Sequence, residues 1–253
     1  MHILCIDIGG TGLKAAVVDA GGKLLTERVR VKTPQPCKPE VVVEALVELV
    51  KPLPTYQCVS VGFPGVVRDG KVYTAPMLGN ELWRGILLAD QLAEELQKPV
   101  RLVNDADMQG LAAIEGKGME MVITLGTGFG SAIFRDGRLG PHLELSMHPL
   151  AKNKTYNERL GNAALKKVGK QKWNRRVRHA IDVLRVLTNF DQLYIGGGNA
   201  EKINFELDAD IQVISNLDGL RGGAWLWKDD AEGHVQRKTQ PTKTRHSMNL
   251  KIA

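Results

Sequence analysis

The chain has 253 residues, 43% hydrophobic and 25% charged, the balance of a globular protein, which excludes wholesale disorder and a collagen-like repeat. Its formal charge is +6, yet Lys166, Lys167, Lys170, Lys172, Arg175, Arg176 and Arg178 fall in one stretch without an acid, and taking these seven away leaves −1 for the remainder. One segment is therefore basic rather than the whole chain, which suits a local anionic partner or a solvated helix face. No run of 18 apolar residues exists, so no membrane span is expected. The first residues have no basic region or cleavage site and read as a strand, not a signal peptide. Cys5, Cys37 and Cys58 are widely spaced and form no CxxC pair. They argue against a disulfide scaffold or a cysteine zinc site and suit a reducing cytoplasm.

Residues 2–8 are apolar and β-branched, as a buried strand requires. Gly9-Gly10-Thr11-Gly12 is a turn, 13–19 a second strand, and Gly21-Gly22 a hairpin signal into a strand over 23–31. Pro39 opens a helix through residue 51, since proline is tolerated in a first turn. Residues 57–63 read as a strand ending in Pro64-Gly65, 86–97 as an amphipathic helix, 100–103 as a short buried strand and 105–115 as a helix. Further on, 156–168 and 172–187 read as helices and 192–195 as a strand before Gly196-Gly197-Gly198-Asn199. A strand over 211–215 and a helix over 220–227 follow. The polar stretch 228–253 contains Pro241, lacks periodicity, and is expected to be a mobile tail.

The opening theme recurs. Residues 5–18 read CIDIGGTGLKAAVV and residues 121–134 MVITLGTGFGSAIF. At an offset of 116, Gly10-Thr11-Gly12 falls on Gly126-Thr127-Gly128 and Ala16 on Ala132. Such self-similarity predicts two related α/β domains facing each other across a cleft. We expect them over 1–107 and 108–227, the second carrying a helical insertion.

Two glycine-rich turns that each follow a buried strand suit phosphate, because glycine permits positive φ and lets an anion approach backbone N–H groups. Thr11 and Thr127 add hydroxyls and Lys14 a cation. Asp7 ends the first strand at the same place, where a carboxylate suits Mg²⁺, usually through water, beside a phosphate chain. Neither the Walker A spacing, the protein-kinase signatures nor a G-x-G-x-x-G dinucleotide fingerprint is present. Asn104-Asp105-Ala106-Asp107 lies where a strand meets a helix. A carboxylate there can take the proton of a hydroxyl attacking a phosphoryl group. One aspartate suffices to cap the helix, so Asp107 is read as structural and Asp105 as the base.

These residues resemble the ROK family of sugar kinases and regulators, within the actin-like ATPase superfamily. Asp7-Ile-Gly-Gly-Thr-Gly-Leu-Lys14 looks like its first phosphate motif, Leu125-Gly-Thr-Gly-Phe-Gly130 like the second, and Tyr194-Ile-Gly-Gly-Gly-Asn199 like its nucleotide-side motif. Val61-Gly-Phe-Pro-Gly-Val-Val-Arg-Asp-Gly70 and Leu102-Val-Asn-Asp-Ala-Asp107 are most similar to the polyphosphate-glucokinase branch. The resemblance implies two ribonuclease-H-like domains flanking a cleft, and phosphoryl transfer from ATP or polyphosphate, with Mg²⁺, to the 6-hydroxyl of glucose or a related hexose. It implies a sugar pocket of Pro64, Gly65, Asn80, Asn104, Asp105 and Glu144. Phosphate contacts would come from Gly9, Gly10, Thr11, Gly12, Lys14, Gly126, Thr127, Gly128, Gly196, Gly197, Gly198 and Asn199. A cytoplasmic homodimer is expected.

The sequence departs from the family pattern twice. The CxCGxxGC zinc segment of many members is missing, so no zinc is expected. The Glu-x-Gly-His sugar motif appears as Glu144-Leu-Ser-Met147 followed by His148. Either His148 serves after a one-residue shift, or hexose affinity and selectivity differ. Glu158 is a further carboxylate candidate for the pocket. The basic run reads as a solvated helix face or a polyphosphate track. Nucleic acid is not expected, because only Trp173 interleaves with the cations and no recognition motif accompanies them. The rival functions are a ROK-type sugar sensor or regulator, and a non-catalytic sugar-binding protein. A regulator carries a helix-turn-helix ahead of this fold, and the first phosphate motif begins by residue 7.

Overall fold

The computed structural model describes residues 1–214 and 218–231. The chain opens with β1 (His2–Ile8), β2 (Leu13–Asp19) and β3 (Val29–Val31), followed by α1 (Pro39–Val50) and β4 (Cys58–Phe63). A small ribbon, β5 (Val67–Arg68) and β6 (Lys71–Val72), leads to α2 (Asn80–Trp83), α3 (Leu88–Leu96), β7 (Val100–Asn104) and α4 (Asp105–Leu111). The second half contains β8 (Met119–Leu125), β9 (Phe129–Arg135) and β10 (Arg138–Leu139), then the ribbon β11 (Pro149–Ala151) and β12 (Lys154–Thr155). After it come α5 (Tyr156–Leu160), α6 (Asn162–Thr188), β13 (Gln192–Gly196), β14 (Ile211–Val213) and α7 (Asp218–Arg221).

The internal repeat is realised as two sheets of one topology. The first runs β3-β2-β1-β4-β7 and the second β10-β9-β8-β13-β14. In each, two antiparallel hairpins are followed by two parallel strands. The offset of 116 holds from the turn onward, Leu13 matching Phe129, but the preceding strands are offset by 117. The turn between Ile8 and Leu13 has four residues and that between Leu125 and Phe129 has three.

Alternation along β1 buries both faces. Leu4, Ile6 and Ile8 pack with Val42, Leu46 and Val50 of α1. Ile3 and Cys5 face the other way, onto Leu220 and Ala224. Burying one such aliphatic side chain contributes about 1.5–3 kcal/mol. In the second half, Met121, Ile123 and Leu125 pack with Trp173, Val177, Ile181 and Leu184 of α6. The halves meet through α4 and residues 218–231: Trp225 packs on the cores of both. No helix among the described residues is long and apolar enough to cross a membrane.

The largest departures from the sequence reading each have a tertiary reason. The strand expected over 23–31 survives only as Val29–Val31 with one bridge at Leu24. The Thr26 hydroxyl accepts the Val17 N–H at 3.0 Å, in place of a ladder bond. The helix expected over 105–115 stops at Leu111, because the buried Glu120 carboxylate gathers the N–H groups of Glu115, Gly116 and Lys117 at 2.7–3.0 Å. The helices expected over 156–168 and 172–187 are instead α5 and a long α6. The α6 helix is broken at Gly169, where φ is 76° and a side chain would be strained. The last helix is a short α7 followed by a tighter 3₁₀ turn over Gly222–Ala231. A Cβ on Gly222 would lie 1.7 Å from the Met108 carbonyl, so only glycine lets this segment press onto α4. Of the expected tail, residues 232–253 lie outside the described residues, as does Ser215 of the expected strand.

Candidate active site

In open α/β sheets, ligands bind beyond the carboxyl ends of the parallel strands. Five of the motifs singled out by sequence fall there. Asp7 and the first glycine turn end β1, Pro64-Gly65 follows β4, and Asn104-Asp105 stands at the junction of β7 and α4. The second glycine turn ends β8, and Gly197-Gly198 follows β13. Together they wall a cleft of about 560 Å³.

Of the expected site residues, Asp7, Gly9, Gly10, Thr11, Gly12, Lys14, Pro64, Gly65, Asn104, Asp105, Gly126, Thr127, Gly128, Glu144, Gly197 and Gly198 line this cleft. Asn80, His148, Glu158, Gly196 and Asn199 do not. Asn80 is spent on local structure, its Oδ1 accepting the Ala75 N–H at 2.6 Å. Glu158 closes a capping box with Thr155 and pairs with Lys154, away from the cleft. His148 is exposed beside the Tyr156 ring, so the one-residue shift does not bring its imidazole to the cleft, whereas Met147 is on the wall. Asn199 acts from behind. Its Nδ2 donates to the Gly126 carbonyl at 3.1 Å and its Oδ1 accepts from Lys202 at 2.7 Å, tying β13 to the second turn.

The cap of α4 is Asn104. Its Oδ1 accepts from the N–H groups of Ala106 and Asp107, while its Nδ2 donates to the carbonyls of Phe63 and Gly65. Those bonds use all four positions of the amide, so Asn104 positions the β4 and β7 ends rather than offering free hydrogen bonds. Asp105 is thereby released from capping and reaches the cleft, with one oxygen accepting the Ala106 N–H at 2.9 Å. Burial, then the neighbouring Asp7 carboxylate, push its pKa up to about 7. Asp107 points elsewhere. It is 3% exposed and its Oδ1 lies 3.2 Å from His142 Nδ1. Burial raises its pKa, against the hydrogen bond from His142.

His142 is the main residue that the sequence reading missed. It lines the cleft between two acids, with Nε2 3.9 Å from a Glu144 oxygen. Burial alone would lower its pKa, but the hydrogen bond to Asp107 and the nearby Glu144 carboxylate raise it to about 9. The Glu144 carboxyl is resisted by burial yet held below its ordinary value by His142 and Ser146. Gln109, Asn157 and Arg28 also line the cleft without having been singled out. Asn157 has a visible task, its Oδ1 accepting the Phe129 N–H at 3.1 Å and bracing the second turn.

Neither Gly-Thr-Gly turn uses a positive φ; among the described glycines that line the cleft, that conformation occurs at Gly197, φ 89°. The turn glycines serve close approach instead. Each turn closes on itself, Gly9 N–H to Gly12 at 3.0 Å and Gly126 N–H to Gly128 at 3.0 Å. The N–H groups of Gly10, Thr11, Thr127 and Gly128 bond to no described residue, which is what an anion cradle needs. Lys14 stands across the β1–β2 ladder from Asp7 and pairs with it at 2.7 Å. Among the described residues no cluster of three His, Cys, Asp or Glu forms a metal cage.

Paired sheets of this topology around a phosphate-ready cleft, with an aspartate between the turns, define an actin-like phosphotransferase fold. A family model described as the ROK family matches residues 3–141, and the chain belongs to that family. It is 34% identical over 226 residues to the polyphosphate glucokinase of Mycobacterium leprae (strain TN), covering 83% of this chain and 66% of that protein. Identity to the polyphosphate glucokinase of Mycobacterium tuberculosis (strain ATCC 25177 / H37Ra) is also 34%, over 79% of this chain and 78% of the relative. The chain thus spans about two thirds to four fifths of these relatives. Among solved structures, the inorganic polyphosphate/ATP-glucomannokinase from Arthrobacter sp. strain KM superposes with a TM-score of 0.80 at 32% identity, covering 89% of this chain and 97% of that one. A ROK family glucokinase from Streptomyces griseus, in complex with glucose and AMPPNP, gives 0.72 at 21% identity, with 89% and 99% covered, a likeness of fold. The expected fold class is met.

Proposed function

We propose that the chain is a hexose kinase transferring a phosphoryl group from ATP or polyphosphate to the 6-hydroxyl of glucose or a related hexose. The observation that carries this reading is Asp105, which lines the cleft with the two glycine turns and has a pKa raised to near neutrality. As base it takes the proton of the attacking hydroxyl. The turns hold the donor's phosphates through unspent backbone N–H groups, and Glu144 faces the sugar. Mg²⁺ fits beside Asp7. This ion commonly takes one or two carboxylates together with phosphates and waters, and Asp7 is a cleft carboxylate close enough to perturb Asp105. When bound, it supplies charge neutralisation on the donor phosphates. A cytoplasmic homodimer belongs to the same reading, and light scattering of the purified chain tests the dimer. The names of the 34% identical relatives support the reaction over the regulator alternative. The direct test is purified protein with Mg²⁺ and ATP or polyphosphate against glucose, mannose, fructose and N-acetylglucosamine. Absence of sugar phosphate with every pair overturns the reading.

The raised pKa sets the pH dependence. A base works only when ionised, so kcat/KM should rise with pH up to about 7 and level off above it. Below that point it should fall about tenfold per unit. A flat profile between pH 5 and 8 would be inconsistent with Asp105 as base.

Donor choice turns on α6. It begins at the second glycine turn, where Asn162 N–H bonds the Gly126 carbonyl at 2.9 Å. Trp173 and Val177 bury one face, while Lys170, Lys172 and Arg175 are exposed. A polyphosphate longer than the cleft can continue along that face, its binding weakening with salt as for other polyanions. Arg176 donates to the Arg159 carbonyl at 3.2 Å, and is best left intact. Changing Lys170, Lys172 and Arg175 together to glutamine should raise the KM for long polyphosphate several-fold at low salt and leave ATP kinetics alone. Equal loss with both donors points to altered folding, and no change with either leaves a merely solvated face.

A further inference from the structure

We propose that His142 is a sugar-contacting, specificity-determining residue, and that its Nε2 and the Glu144 carboxylate hold one hydroxyl of the hexose between them. The inference rests on the hexose-kinase reading and deepens it. His142 is 9% exposed at its side chain, yet lines the cleft with Asp105 and Glu144. Its two ring nitrogens have different surroundings. Nδ1 lies 3.2 Å from the buried Asp107 carboxylate, an acceptor-only group when ionised, so Nδ1 carries a proton. Nε2 is buried and has no hydrogen-bond partner. Buried polar atoms are almost always paired, and the residue that carries this one is part of the cleft wall.

Glu144 Oε2 stands 3.9 Å from Nε2. That is beyond hydrogen-bond reach, but it is the spacing that a single oxygen can bridge, at about 2.8 Å from each atom. A sugar hydroxyl is both donor and acceptor. It can accept from the Nε2–H of the imidazolium and donate to Glu144. The raised pKa of His142 keeps both ring nitrogens protonated at neutral pH, which the bridge requires. Glu144 is itself oriented, its other oxygen accepting from the Ser146 hydroxyl. Asp107 is two residues after Asp105 in α4, so the bridged hydroxyl is registered to the base through one rigid turn.

The test is a series of 2-, 3- and 4-deoxyglucose with wild type, His142→Leu and His142→Gln, read as kcat/KM for sugar at saturating donor, with thermal unfolding as the folding check. In the wild type, removal of the bridged hydroxyl should cost about 10- to 100-fold, as for a hydrogen bond to a charged group. In His142→Leu the penalty at that one position should collapse toward unity while the other two persist, and the KM for sugar should rise more than the KM for donor. His142→Gln, which keeps an N–H donor, should recover part of the discrimination. If wild type phosphorylates glucose but all three penalties are unchanged in a folded variant, His142 only supports Asp107 and the inference falls. If His142→Leu does not fold, His142→Gln decides alone: an unaltered penalty pattern and an unaltered sugar KM overturn the proposal. If wild type phosphorylates no hexose and calorimetry detects no sugar binding, it is the kinase reading that fails, and this inference with it.

Discussion

Asp105→Asn should lower kcat by about 10²–10⁴, with glucose still bound and the fold intact. The substitution is nearly isosteric and removes only the basicity, since the side-chain oxygen can still accept the Ala106 N–H that orients it at 2.9 Å. It also relieves a burial cost that already pushes the carboxyl toward its neutral form, so stability should not suffer. The contrast is Asp107→Asn. That side chain is buried against His142 and outside the cleft wall. Its amide oxygen can still accept from Nδ1–H, while the loss of its charge lowers the proton affinity of His142. The expected signature is a raised sugar KM with most of kcat retained. Rapid-quench turnover and calorimetric sugar binding separate the two outcomes. A dead Asp107→Asn beside an active Asp105→Asn would falsify the assignment of the base.

The architecture was readable because its determinants are local. β1 and β8 are short apolar runs, buried on both faces, that end in glycine turns, and a repeated local pattern forces a repeated topology. What could not be read was set by contacts between distant residues. Nothing near residue 111 announces that Glu120 will collect three backbone N–H groups and stop a helix. Nothing near Gly222 announces a carbonyl of α4 against its Cα. At 24–28 the competing bond, donated by the Val17 N–H to the Thr26 hydroxyl, is a side-chain event that a period-two pattern does not encode.

The site divides along the same line. Asp7, Asp105 and the glycine turns were readable because each sits where a strand ends, and strand ends converge in this topology. His142 was not, since its meaning lies in a 3.2 Å contact with a residue 35 positions away. A lone histidine between Pro141 and Leu143 carries no motif; the nearby Glu144 was the one available hint. The Glu158 assignment, by contrast, could have been avoided. Thr155-Tyr-Asn-Glu158 is the spacing of a capping box, which is what the structure contains. Asn104 illustrates a subtler exchange, in which the expected capping aspartate is replaced by the asparagine before it, and a carboxylate is freed for chemistry.

Gly126→Ala should raise the KM for phosphoryl donor at least about tenfold, equivalent to about 1.4 kcal/mol, while leaving thermal stability unchanged or slightly higher. The two glycines of the second turn are not equivalent. A Cβ on Gly128 would lie 2.6 Å from Asn157 Oδ1, the atom that accepts the Phe129 N–H. Any side chain there disturbs the brace of the turn, and lost activity would say nothing about phosphate. A Cβ on Gly126 meets no protein atom within 4 Å, and Gly126 has no positive φ. Alanine therefore fits the backbone, and where it fits, the substitution commonly stabilises by about 0.4–1 kcal/mol through the unfolded chain. Gly126 lines the cleft, next to the free N–H groups of Thr127 and Gly128, so the space the methyl group enters is the space a donor phosphate must occupy. The sugar KM should stay constant, since Asp105, Glu144 and His142 are untouched. Donor KM, sugar KM and melting temperature, measured on Gly126→Ala and Gly128→Ala together, separate occupancy from folding. If Gly126→Ala melts normally and binds donor as the wild type does, the phosphate chain does not pass over this turn.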